Sequence, residues 1–140
     1  MPEVSTFRIT LLRGMYLLIA AGLGMSVWPA LIAPTPHPSD SHSVILAMLG
    51  GISLMSLLGL RYPLRMLPVL LFELTWKLIW VLGTALPLWR AGSLDDYGRH
   101  TLFACMVGVV LVPLALPWAH IWHRYVRAPA EAWRQPLPDA

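Results

Sequence analysis

The chain has 140 residues, 57% of them hydrophobic and 12% charged, with a mean hydropathy of +0.64; soluble domains carry roughly 25% charge, so a soluble globular domain is excluded. The length leaves one domain with no room for a separate soluble module. The net charge of +3 does not indicate nucleic acid, because the basic residues bracket apolar runs instead of forming one face, and the single Cys105 excludes an intrachain disulfide, a CxxC redox pair or a cysteine zinc site.

Four apolar segments follow in chain order. The first spans about residues 14–32, after Arg8 and Arg13. At roughly 19 apolar residues it exceeds the core of a secretory signal. A cut after Ala33 would place Leu31 and Pro34 at unfavourable positions, so the segment reads as an uncleaved anchor. The others cover about 43–60, 67–89 and 101–121. Each is close to the ~20 residues of a spanning helix, and none shows the alternation of a membrane barrel strand. Residues 1–127 are therefore expected to form an all-α integral membrane bundle of four antiparallel transmembrane helices. Residues 128–140 read as a cytoplasmic, proline-rich tail, and Pro34, Pro36 and Pro38 as a stiff outer loop.

Arginine sets the expected orientation. Arg8 and Arg13 precede the first segment, Arg61 and Arg65 fill the turn between the second and third, and Arg124, Arg127 and Arg134 follow the fourth. The other two connections have no basic residue, or two arginines against Asp95 and Asp96. The positive-inside rule then gives an N-in/C-in protein of the bacterial cytoplasmic membrane. Trp28 and Trp89 are expected at the outer interface, Trp118 and Trp122 at the inner one.

The candidate site lies in the third segment, LPVLLFELTWKLIWVLGTALPLW. Lys77 is the only lysine, and Glu73 precedes it by one helical turn. Opposite charges inside a span are costly and need a reason. At ~1.5 Å per residue Glu73 lies about 9 Å and Lys77 about 15 Å from the inner end. Ser56, Ser53 and the Gly50–Gly51 pair of the second segment reach similar depths, as does the Val109 carbonyl, which Pro113 leaves without its helical donor. Three helices thus offer polar groups in one layer. Two uses are open: a structural ion pair that pins the helices together, or a proton-accepting or ligand-holding site of Glu73, Lys77, Trp76, Trp80, Ser53 and Ser56. Trp76 and Trp80 would make a cation–π contact, line an apolar cavity or simply pack.

Two histidines, His42 and His100, open the second and fourth segments and raise a third use, haem ligation in a membrane redox component. His120 and His123, among Trp118, Trp122, Arg124 and Tyr125, read as a lipid-headgroup anchor. No metal site, named cofactor or catalytic motif is indicated.

With RYPLRMLPVLLFELTWKLIWVLGTALPLW, the chain resembles small four-helix inner-membrane proteins of bacteria, and in outline it is similar to DoxX-like proteins. That resemblance implies a four-span fold with both ends inside, and no catalytic residue. The leading expectation for function is an accessory component that packs with a second copy or a partner membrane protein. The rivals are a small binder or transporter of a lipophilic or protonatable ligand at Glu73 and Lys77, and the haem protein. The bilayer is the expected partner in every case.

Overall fold

In the computed structural model, which describes residues 4–33 and 39–134, the described residues form helices and connecting turns. Pro34, Pro36 and Pro38, and the end of the proline-rich tail, lie outside the described residues. Helix α1 is Thr6–Leu31, α2 Ser41–Arg61, α3 Leu67–Trp80, α4 Leu86–Arg90, α5 Asp96–Ala115 and α6 Trp118–Ile121. A π-type stretch, Val81–Ala85, joins α3 to α4, so Leu67–Arg90 is one continuous span. Among the described residues, four helices are long and apolar enough to cross a membrane: α1, α2, this joined span and α5.

Local chemistry sets the ends. Ser5 caps α1 by accepting from the Arg8 N–H at 3.1 Å, and Asp40 caps α2 by accepting from Ser43 at 3.0 Å. Asp95 does the same for α5, accepting from Gly98 at 2.8 Å. Pro87 has no N–H to offer the helix, and the widened turn lies directly before it, with the Leu86 N–H bonded to Val81 O. The joined span then stops in a Schellman motif. Gly92 takes φ +67, its N–H meets Trp89 O, and the Ser93 N–H meets Leu88 O at 2.9 Å. After α5, Leu116 is extended, as the residue before Pro117 must be. Another π-type stretch, Trp122–Arg127, follows α6.

Two expected boundaries are corrected. The first span starts at Thr6 rather than near residue 14, so Arg8 and Arg13 lie inside it. Their long side chains reach helix-end carbonyls, Arg8 Nη1 donating to Leu114 O and Arg13 Nε to Leu60 O at 3.1 Å. A charge that can reach a polar acceptor does not end a membrane helix. The fourth span is Asp96–Ala115 rather than 101–121. Asp95 and Asp96 start it instead of sitting in a loop, and Pro117 breaks it early.

Packing is uneven. The most extensive interface joins α1 to α2, the next joins α3 to α5, and α2 touches α3 much less. The core gathers at one end: Leu12, Tyr16, Leu67, Leu70, Val112 and Leu116 are all at most 1% exposed. Tyr16 lies against Gly59, where a methyl group would overlap its ring, and donates its hydroxyl to Pro63 O at 2.8 Å. Large apolar side chains such as Leu17, Ile79, Leu82 and Phe103 stay exposed, as residues facing lipid do.

Candidate functional site

Glu73 is 1% exposed, and its Oε2 lies 2.7 Å from Lys77 Nζ, one turn along α3. The distance makes an ion pair, but Oε2 receives no well-directed hydrogen bond from the described residues, so the carboxylate is neutralised more than it is tethered. Lys77 has room for this posture because α5 presents Gly108. A Cβ there would sit 2.6 Å from Lys77 Nζ and 3.0 Å from its Cδ. The ammonium also lies 5.6 Å from the centre of the Trp76 ring. The pair is thus clamped between α3 and α5. The sequence-based expectation placed Lys77 level with the Val109 carbonyl; the close neighbour is Gly108, one residue earlier.

The serines fall into other environments. Ser53 is buried between α2 and α1, donating to Ala20 O at 3.1 Å and accepting from Trp28 Nε1 at 3.4 Å. Both of its hydrogen bonds go to α1, and it belongs to that seam. Ser56 is completely buried and its hydroxyl has no partner among the described residues. Gly50 is a close-approach position, where a Cβ would meet Leu31 Cδ1 at 2.9 Å, whereas Gly51 faces open space. The Pro113 carbonyl, which Pro117 leaves without its helical donor, accepts the Trp118 indole N–H at 2.9 Å. The single polar layer expected from depth alone is therefore divided among three seams. Equal depth does not fix the direction in which a side chain points.

The two tryptophans lead elsewhere. Where α2 and α3 separate, a cavity of about 330 Å³ opens, lined by Ile45, Leu49 and Ile52 of α2, Trp76 and Trp80 of α3, and Thr101 of α5, among others. Its walls are almost wholly apolar. The Trp76 indole N–H is enclosed and has no hydrogen-bond partner among the described residues. An adjoining shallower groove of about 430 Å³ runs along Met48, Gly51 and Met55 of α2 and Val69 and Phe72 of α3. Glu73 and Lys77 line neither space. The six residues singled out from sequence thus separate into a charge pair, a seam serine, an unpartnered serine and two cavity tryptophans.

No family model, curated protein or solved structure matches the chain.

His42 and His100 are both exposed, and the His100 Nδ1 lies 2.8 Å from Asp96 O of its own helix. Among the described residues, no three His, Cys, Asp or Glu side chains come together. Sequence reasoning did not single out Gly108, Gly59 or the cavity residues Phe72, Tyr97 and Thr101. For the cavity a signal exists: Ile45, Met48, Leu49 and Ile52 repeat at 3 and 4 residues, the spacing of one helical face.

Proposed function

We propose that the chain is a non-catalytic component of the bacterial cytoplasmic membrane that holds a lipophilic molecule bearing a hydrogen-bond acceptor between α2 and α3. The observation that carries this is the cavity of about 330 Å³ with an enclosed, unpartnered Trp76 N–H among its lining residues. Ligand sites are typically ~300–1,000 Å³, mostly apolar, with a few placed polar groups. A buried donor without an acceptor is costly, and a ligand carbonyl or ether oxygen would satisfy it. The site is then the tryptophan cavity, while Glu73 and Lys77 hold α3 against α5.

The antiparallel, N-in/C-in arrangement belongs to the same proposal. Arg8 and Arg13, near the start of α1, reach carbonyls near the ends of α5 and α2, as an up-down-up-down path requires. Arginine collects near those ends, which supports a cytoplasmic face there.

The accessory reading has its own support in the adjoining groove. Bare Gly51 between Met48 and Met55 suits close approach by a helix of a second copy or a partner membrane protein.

Solvent extraction and mass spectrometry of protein purified from membranes in mild detergent separates the readings. The parent should carry a lipophilic molecule near one per chain, and Trp76→Phe, which keeps an aromatic ring but removes the N–H donor, should retain about tenfold less. Equal retention by the two proteins counts against the cavity as the site. A stable dimer with nothing retained favours the accessory reading.

A further inference from the structure

A second cavity, independent of the one between α2 and α3, lies where the first turn of α1 meets the α5–α6 junction. It measures about 370 Å³ and is lined by Ser5 and Arg8 on one side and by Leu116, Pro117, Trp118 and His120 on the other, among others. Its floor is built rather than open: Leu116 is 1% exposed and Pro117 is buried. Its chemistry is one-sided. Arg8 is held in place by Leu114 O, which takes one of the five N–H donors a guanidinium carries. His120 Nε2 is enclosed and has no hydrogen-bond partner among the described residues. The Trp118 N–H is already committed to Pro113 O, so that side chain contributes its ring. Among the described residues, no acidic side chain lines the space.

We infer that this cavity takes a phosphate group, held by the Arg8 guanidinium and the His120 imidazole, in the form of an anionic lipid headgroup. Arginine matches phosphate oxygens with a planar fork of donors, and neutral histidine adds one more when its N–H is on Nε2. Burial, with Arg124 and His123 nearby, holds the His120 imidazole below the ordinary histidine range, so near neutral pH it acts as a hydrogen-bonding group. The position favours a lipid as the source. The cavity sits just beyond the end of a spanning helix, beside the exposed Trp118 and Trp122 rings that suit a headgroup layer. Basic pockets at helix ends bind phospholipid headgroups by this chemistry. The first turn of a 26-residue helix adds a favourable dipole to the same wall.

The test is native mass spectrometry of delipidated protein in neutral detergent, titrated with phosphatidylglycerol, with phosphatidylcholine, and with inorganic phosphate. The parent should retain one phosphatidylglycerol in preference to phosphatidylcholine, and His120→Leu should weaken that retention about tenfold. Arg8→Gln should weaken it at least as much. Because Arg8 also braces Leu114, Arg8→Lys, which keeps the charge but loses the fork, accompanies it, and circular dichroism confirms folding. If millimolar inorganic phosphate displaces the lipid and itself binds with the same dependence on Arg8 and His120, the phosphate site stands and free phosphate is its occupant. Retention of phosphatidylglycerol by folded His120→Leu and Arg8→Lys at the parental level overturns the inference, as does equal retention of both lipids by the parent.

Discussion

Replacing Gly108 by alanine adds one methyl group at the point where α5 meets Lys77. The added Cβ would lie 2.6 Å from Nζ, 3.0 Å from Cδ and 3.3 Å from Cε. Nζ is the tip of a flexible side chain and can move, but any move that relieves all three contacts carries it away from Glu73 Oε2, now 2.7 Å distant. The carboxylate, 1% exposed, would lose its neutralising partner. Breaking a buried ion pair costs about 3–5 kcal/mol, against about 1 kcal/mol gained by exchanging glycine for alanine inside a helix. The balance is a loss of about 2–4 kcal/mol. The sign should reverse in a Glu73→Gln, Lys77→Ala background, where nothing fills the space and only the gain of about 1 kcal/mol remains. Reversible unfolding in mixed micelles, followed by circular dichroism in both backgrounds, measures both numbers. A Gly108→Ala protein as stable as the parent would mean that Lys77 does not depend on the α5 surface, and the clamp would be wrong.

Single removal of either charge, Glu73→Gln or Lys77→Met, should destabilise by about 3–5 kcal/mol, and Glu73→Gln with Lys77→Met should recover most of it; two single variants as stable as the parent would instead indicate a hydrated pair. Gly59→Ala should cost about 1–3 kcal/mol by overpacking against Tyr16, while Tyr16→Phe, which leaves Pro63 O without its donor, should cost about 1–3 kcal/mol, both read from the same unfolding curves. A periplasm-active reporter fused after Ala140 should be silent and one placed within residues 34–42 active; the opposite pattern refutes the N-in/C-in orientation.

Much of the span architecture was legible because lipid imposes length and composition directly. The second and third segments could be placed almost entirely from apolar length, yet the first began eight residues early and the fourth both began and ended before its expected bounds. Arg8 and Arg13 looked like flanking charges, but whether an arginine ends a helix depends on finding a carbonyl, here Leu114 or Leu60 on other helices. The break at Leu116 follows from Pro117, a local rule that was available in the sequence. The Glu73–Lys77 pair was readable because an i,i+4 contact is a property of one helix. Its setting against Gly108 was not, since that requires the rotation of α3 relative to α5. The same missing rotation explains the serines. Ser53 turns to Ala20 and Trp28, and the cavity between α2 and α3 exists because those helices separate.

The central claim is that the α2–α3 cavity holds a molecule, and filling it tests this most directly. Met48 borders both spaces and is 54% exposed, so Met48→Trp adds bulk there without disturbing the core. Intact parent and Met48→Trp proteins, released from identical membranes, are compared by native mass spectrometry. The account predicts a lipophilic adduct on the parent that the folded Met48→Trp protein lacks. The same adduct at the same occupancy on both proteins would contradict it.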